Sequence, residues 1–153
     1  MGFYVGVQFS FSTNSLGRLR EVAFKTLNDR YDFSKEDRDD FESSYTKLML
    51  EQISEDQYGK YVHKGNKGDM FMWGGVWNYY SIESEDKFLK RFLLNCWQFE
   101  KKEESIFFDF DRALLIINRE GSEMSNIYEF SYDKEKNEVN IKKAGTDLCW
   151  NQY

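Results

Sequence analysis

The segment FDFD at residues 108–111 places two carboxylates at a spacing that can support chemistry. Its alternation predicts a strand, on which Asp109 and Asp111 share one face about 7 Å apart. Such a pair can bind Mg²⁺ or Ca²⁺, or act as a general acid and base. The sequence places no further oxygen ligand beside them, so two solvated carboxylates on an outer strand face are the simpler interpretation. We therefore expect no metal site and no cofactor.

A second group of acids, in the segment EDRDDFE, crowds the first turns of a predicted helix. Acidic side chains near a helix N-terminus stabilise the helix and usually stay solvated. Alternatively, the group faces a positively charged cleft on a partner protein, where complementary charge accelerates association and fixes the register of the complex. The five acids are Glu36, Asp37, Asp39, Asp40 and Glu42.

The segment MFMWGGVWNYY, residues 70–80, surrounds two glycines with aromatic side chains. Two glycines between apolar runs predict a β-hairpin, because glycine accepts the positive φ angles of tight hairpin turns. Three interpretations are open: a hairpin buried on both faces, a hairpin with one face open for docking, and a wall that stacks on a small ligand. We expect one face in the core and part of the other accessible, since an apolar patch on a soluble protein usually marks an interaction site.

The aromatic segment and the acidic helix together predict a protein-binding surface. Interfaces are enriched in aromatic residues and methionine, and their hot spots in tryptophan and tyrosine. An acidic rim would select a basic partner. The predicted partner-binding residues are Trp73, Trp77, Tyr79, Tyr80, Glu36, Asp37, Asp39 and Asp40.

No catalytic motif is present in the sequence. His63 is the only histidine, and a lone histidine forms neither a catalytic triad nor a two-histidine metal site. Its neighbours Lys60, Lys64 and Lys67 suggest a weak anion contact at most, because the nearby glycines do not fit the Walker A pattern. The dinucleotide-binding motif GxGxxG and the zinc-protease motif HExxH are absent.

The composition favours a folded, acidic protein. The chain has 153 residues, of which 41% are hydrophobic and 18% aromatic, enough for the core of one domain spanning residues 1–153. Its net charge of −6 argues against nucleic-acid binding, which needs concentrated Lys and Arg. The two cysteines, Cys96 and Cys149, belong to no metal or disulfide pattern and predict free thiols in a reducing compartment.

No targeting segment is expected in this sequence. The opening MGFYVGVQFSFS alternates polar and apolar residues and lacks the basic start and continuous apolar stretch of a signal peptide. No run approaches the roughly 18 apolar residues of a membrane span. We expect a cytoplasmic protein without a membrane partner.

Apolar periodicity predicts three helices. The first follows a cap within TNS at 13–15, and the second begins after Ser34 and carries an apolar stripe through Met49. The third runs from about Ser84, as its cap, to Phe99. The stripe of this third helix consists of Phe88, Leu89, Phe92, Leu93, Cys96 and Trp97.

Strands account for most of the remaining chain. Alternation predicts a strand over 3–11, strands between 58 and 82, and a meander in the last third with ALLIIN as a central strand. Segregated elements of this kind predict an α+β fold, with a mainly antiparallel sheet of about 5–7 strands and about three helices largely on one face.

The preferred functional hypothesis is a non-enzymatic acidic module that binds and neutralises a protein partner. An immunity protein or antitoxin for a secreted toxin, or a phage-type inhibitor of a host protein, fits this size and charge. The alternative is a small-molecule-binding protein or a metal-dependent enzyme that uses the Asp109 and Asp111 face beside the aromatic hairpin. The sequence leaves the oligomeric state open.

Overall fold

The computed structural model describes residues 5–13, 15–56, 60, 62–63, 69–77, 82–103, 108–119 and 125–147. Within these ranges the chain forms six strands and four α-helices, and a 3₁₀ turn at Asp29–Asp32 follows the first helix. In chain order the elements are β1 (Val5–Thr13), α1 (Leu16–Asn28), α2 (Lys35–Glu42), α3 (Tyr45–Glu55), β2 (Val62–His63), β3 (Asp69–Trp77), α4 (Ile82–Glu103), β4 (Phe108–Arg119), β5 (Ser125–Asp133) and β6 (Glu138–Asp147).

The strands form one antiparallel sheet in the order β2-β3-β1-β4-β5-β6. β1 lies inside the sheet, between β3 and β4. β4 is also an interior strand, as its continuous apolar run predicted. The predicted α+β class with a mainly antiparallel sheet is confirmed.

Strand alternation separates a buried face of the sheet from a more exposed face. On β1, Phe9 and Phe11 are buried, whereas Gln8 between them is only partly buried. In β4, Leu115 pairs with Phe9 and is buried, whereas Leu114 on the other face is only partly buried. The helices therefore cover one face of the sheet, as predicted.

α4 supplies much of the core beneath that face. The Phe92 ring lies 6.5 Å from the ring of Phe9 and 6.3 Å from that of Phe11, measured between centroids. Both pairs are tilted or edge-on, the arrangement that aromatic rings prefer. The predicted stripe is buried at Phe88, Leu89, Phe92, Leu93 and Cys96, and half-buried at Trp97.

Serine hydroxyls begin three of the helices. Ser15 and Ser34 each accept a hydrogen bond from the amide three residues on, and both caps were predicted. Ser44 caps α3 in the same way, which was not predicted. The single helix predicted from Ser34 through Met49 is therefore two helices, because the chain leaves the helical path at Ser43 and restarts from the Ser44 cap.

α4 is longer than predicted. It extends from Ile82 to Glu103, so Ser84 lies in its first turn rather than at its cap. Glu85, in the first turns of α4, is an acid of the type that usually favours the start of its own helix. Its carboxylate instead contacts the start of α3, as described below.

β3 passes through both glycines without a turn, so the hairpin predicted at WGGV is wrong. Gly74 pairs with Gln8, and Gly75 with Val7. A Cβ atom on Gly74 would lie 3.0 Å from the carbonyl oxygen of Val7. Glycine here permits a close approach of two strands, a role that the sequence does not distinguish from a turn.

The segments FDFD and ALLIIN belong to one strand, β4, that a bulge interrupts. Ser10 pairs with Leu114, but Ser12 pairs with Asp109, so β4 contains extra residues between these pairs. The alternation from which a shared face was predicted is therefore broken in the stretch that contains Asp111.

Candidate binding surfaces

α2 carries a row of exposed carboxylates. Glu36, Asp39 and Asp40 occupy positions i, i+3 and i+4, which places them on one face of the helix. All three are exposed. None of them forms an ion pair with any residue that the structure describes. We call these three residues the acidic ridge.

Asp37 has a different environment, although it belongs to the same predicted cluster. The Lys87 ammonium of α4 donates a hydrogen bond to Asp37 Oδ1 at 2.5 Å. This hydrogen bond holds the pKa of the Asp37 carboxyl below its usual 3.8 and raises the pKa of Lys87 above its usual 10.5. Asp37 therefore links α2 to α4.

Glu42, at the end of α2, is neutralised from two sides. Arg30 Nη1 donates a hydrogen bond to its Oε1 at 3.3 Å, and Lys47 Nζ lies 3.1 Å from its Oε2. Lys47 also contacts Glu51 at 2.9 Å, and its hydrogen bonds to Glu51 and Glu42 raise the pKa of Lys47. The charge of Glu42 is thus used within the fold.

Two large apolar side chains of the described residues are exposed, Phe24 by 62% and Tyr31 by 65%. They are seven positions apart in the sequence, and Tyr31 lies in the 3₁₀ turn that directly follows α1. The Arg30 guanidinium lies 5.3 Å from the centre of the Tyr31 ring and also contacts Glu42. Sequence analysis did not single out this pair. The available signal was Phe24, an aromatic residue outside the apolar stripe of α1.

Trp73 is the one predicted aromatic contact residue whose side chain the structure describes. It pairs with Phe9 in the sheet, is half-buried, and its ring lies 6.5 Å from the Tyr45 ring. Trp77 ends β3, and its side chain lies outside the described part of the chain, as do Tyr79 and Tyr80. The partner-binding role of all four stays a prediction, and Trp73 packs against the core.

The side chains of Asp109, Asp111 and His63 lie outside the described part of the chain. Among the residues whose placement is described, no three His, Cys, Asp or Glu side chains are grouped in a way that suits a metal ion. Cys96 is a buried free thiol, and Cys149 lies outside the described ranges. The alternative hypothesis about Asp109 and Asp111 therefore stays a hypothesis.

An open cleft of about 410 Å³ lies between α4 and the β5–β6 hairpin. Its volume falls within the roughly 300–1,000 Å³ typical of small-molecule sites. We call it the α4 cleft. Sequence analysis did not single out this cleft. The available signal was the spacing of the cations along α4, whereas the position of the β5–β6 hairpin beside α4 has no local signal. The cleft is lined by the cations Lys87, Lys90 and Arg91 and by the apolar residues Phe33, Leu94 and Val139, with residues 137, 138 and 140 opposite α4.

Glu85 is a buried carboxylate, only 6% exposed, that serves a helix other than its own. Its Oε1 accepts a hydrogen bond from the Tyr45 amide at 2.8 Å. Its Oε2 accepts one from the Thr46 amide at 3.1 Å and one from the Thr46 hydroxyl at 2.6 Å. These amides begin α3, where the helix dipole favours negative charge. Burial, and secondly the charge of Glu85, raise the pKa of Tyr45 far above its usual value.

No family model, curated protein or solved structure matches this chain. In the described ranges, none of the helices has both the length and the apolar character needed to cross a lipid bilayer. Function is therefore inferred from the surfaces of this chain alone.

Proposed function

We propose that this protein is a non-enzymatic, acidic module that binds and neutralises a protein partner with a basic cleft. In this proposal the protein acts in the cytoplasm. It is an immunity protein or antitoxin that blocks a toxin, or a phage-type inhibitor of a host protein. The observation that carries the proposal is the acidic ridge on α2, which is exposed and forms no ion pair with the described residues. Lys87, which binds Asp37, acts on Glu36 and Asp40 only at longer range.

The charge of the acidic ridge contrasts with that of its neighbours. Asp37 is neutralised by Lys87, and Glu42 by Arg30 and Lys47. Like charges on one helical face destabilise the helix by about 0.2–0.5 kcal/mol per pair. A basic surface on a partner would supply the missing cations, accelerate association and fix the orientation of the complex.

Tyr31 and Phe24 add the apolar component that a charged ridge lacks. Interface hot spots are enriched in Tyr and Arg. Arg30 lies over the Tyr31 ring and also donates a hydrogen bond to Glu42 at the end of α2. In the proposed complex, these aromatic side chains provide affinity and the acidic ridge sets the association rate. The aromatic residues predicted from the sequence stay in the proposal as a second group: Trp73, Trp77, Tyr79 and Tyr80.

The proposal is tested by surface plasmon resonance against the protein encoded by the neighbouring gene, at several salt concentrations. The double variant Asp39→Asn and Asp40→Asn should lower the association rate, most strongly at low salt, where charges interact over a longer range. The variant Tyr31→Ala should raise the dissociation rate by about tenfold or more, as expected for a hot spot. An activity assay of the partner should show inhibition by the wild-type protein.

The matched control is the double variant Glu129→Gln and Glu135→Gln, which removes two exposed acids on β5 and in the turn that follows it. It should leave both rate constants close to those of the wild type. If the control lowers the association rate as much as the ridge variant, only net charge matters and the ridge is not a contact surface. Absence of a complex, with the activity of the neighbouring protein unchanged, would contradict the proposed neutralising role.

A further inference from the structure

The lining of the α4 cleft is mainly positive, although the protein as a whole is acidic. Lys87, Lys90 and Arg91 contribute three positive charges to its lining, and Glu138 contributes one negative charge. The protein as a whole carries a net charge of −6. Since a charged concave surface concentrates ions of the opposite sign, this lining favours an anion.

The floor of the cleft is apolar and is supported by the core. Phe33 and Leu94 pack against the core cluster, and Val139 belongs to it. The Arg91 guanidinium lies 5.8 Å from the centre of the Phe33 ring. Because the guanidinium lies over this ring, the positive charge of Arg91 directly adjoins the apolar floor.

The wall opposite α4 is the tight turn between β5 and β6. Asp133 Oδ1 accepts hydrogen bonds from the amides of Glu135 and Lys136 at 3.0 and 3.2 Å. Asn137 adopts a φ of 53°, a left-handed conformation that asparagine tolerates. Asn137 in this turn and Asn140 in β6 both line the cleft. Asn137 Oδ1 accepts a hydrogen bond from the Tyr132 hydroxyl, so its amide can still donate, and the Asn140 amide can donate or accept.

The cations of the cleft pair with carboxylates that lie outside its lining. Lys87 Nζ is 2.5 Å from Asp37. Lys90 Nζ is 2.9 Å from Asp86, and Arg91 Nη2 is 3.3 Å from Asp32, whose side chain is 67% exposed. Exposed pairs of this kind contribute little to stability, and the released carboxylates return to water. Arg91 Nε lies 3.6 Å from Asp29, close enough for an ion pair, and has no hydrogen-bond acceptor in the described part of the chain. An incoming anion can therefore displace the exposed Asp32 and the partly exposed Asp86, whereas Asp29, whose side chain is only 13% exposed, stays beside the buried Nε of Arg91.

We infer that the α4 cleft binds a small amphipathic organic anion, with its carboxylate between Lys90 and Arg91 and a flat apolar body on Phe33, Leu94 and Val139. Charge selects against neutral compounds, and the apolar floor selects against small inorganic anions. No residue of the acidic ridge lines the cleft, so the inference does not depend on the proposed protein partner.

The test is an NMR titration of the ¹⁵N-labelled protein with 2-naphthoate, compared with its neutral analogue naphthalene-2-carboxamide and with inorganic phosphate. We expect saturable shifts centred on Leu94, Val139 and Asn140 with 2-naphthoate. The carboxamide should bind at least about fivefold more weakly than 2-naphthoate, because it lacks the negative charge. Phosphate should give no saturable shifts at these residues, because it lacks the apolar body.

Three single variants locate the binding. Lys90→Gln should weaken 2-naphthoate binding by about two- to fivefold, and Glu138→Gln should strengthen it by a similar factor. Lys142→Gln is the matched control, since Lys142 pairs with Glu129 outside the cleft lining and is exposed. Four outcomes would each overturn the inference. The carboxamide could bind as tightly as 2-naphthoate, or Lys90→Gln and Lys142→Gln could have equal effects. The shifts could also be centred elsewhere, or no shift could be saturable.

Discussion

Glu85 and the acidic ridge are carboxylates that the sequence places near helix starts, yet their environments are opposite. Glu85 is buried and accepts three hydrogen bonds from the first residues of α3. The ridge residues on α2 are exposed and form no ion pair with the described residues. The same residue type in a similar sequence position therefore holds the fold together in one region and projects charge outward in the other.

The difference shows that the donors within reach, rather than the position along a helix, determine the role of an acid. Glu85 lies in the first turns of α4 but satisfies amides of α3, which precedes it by about forty residues. Helix N-terminal amides need acceptors wherever the helix start is buried. The start of α2 is exposed, so its acids need no such function.

The largest effect should follow from Glu85→Ala. This change removes the acceptor of three donors in a buried site, each of which costs about 1–3 kcal/mol when left without a partner. We expect the free energy of unfolding to fall by about 3–6 kcal/mol, measured by urea denaturation. Asp86→Ala is the control, because it removes the adjacent acid and only a surface pair worth about 0–1 kcal/mol. Equal effects of the two changes would show that the buried Glu85 carboxylate matters no more to stability than a surface acid.

Leu93→Ala tests how much an apolar side chain of the buried core contributes to stability. Leu93 is fully buried in the stripe of α4, so its truncation leaves a cavity under the sheet. We expect a loss of about 2–5 kcal/mol, seen as a lower thermal melting temperature and a lower urea midpoint. An unchanged melting temperature would show that the stripe is not core.

Asp37→Asn should have a small and pH-dependent effect. Because the pKa of Asp37 is lowered in the folded state, its pair with Lys87 stabilises the fold above the usual value of 3.8. That contribution disappears as the pH falls through the lowered pKa. The raised pKa of Lys87 has the converse effect, with stabilisation present below 10.5 and lost at still higher pH. Urea midpoints of variant and wild type should differ slightly at neutral pH and converge in acid. A difference that persists in acid would argue against the ion pair.

Neutralising the acidic ridge should have the smallest effect on folding. The double variant Asp39→Asn and Asp40→Asn relieves like-charge repulsion, so stability should stay constant or rise by a few tenths of a kcal/mol. Differential scanning calorimetry at low and high salt measures this change. A clear loss of stability would mean that the ridge supports the fold, which would remove the main basis for a role in partner binding.

Local patterns in the sequence predicted the elements whose causes are local. The alternation in β1 and the stripe of α4 both identify the buried side correctly, because burial follows the period of the element. Ser15 and Ser34 were recognisable as caps, because a cap and its amide lie three residues apart.

Features that depend on distant residues were missed. Two adjacent glycines, such as Gly74 and Gly75, occur both in tight turns and where two strands approach closely. Only the position of β1 distinguishes the two cases here. The contact of Glu85 with Thr46 joins two helices, and the α4 cleft forms because β6, which carries Asn140, lies beside α4. No local pattern encodes these distances.

The interior position of β1 also affects the order in which the sheet is completed. Val5 pairs with Trp77 on one side and with Arg119 on the other. During synthesis, the strand that carries Phe9 and Phe11 therefore leaves the ribosome well before either neighbour. Such non-local pairing slows folding and leaves apolar strands exposed to aggregation or to chaperones in the meantime. The most central aromatic strand of the finished protein is thus the one that spends the longest time unprotected during its synthesis.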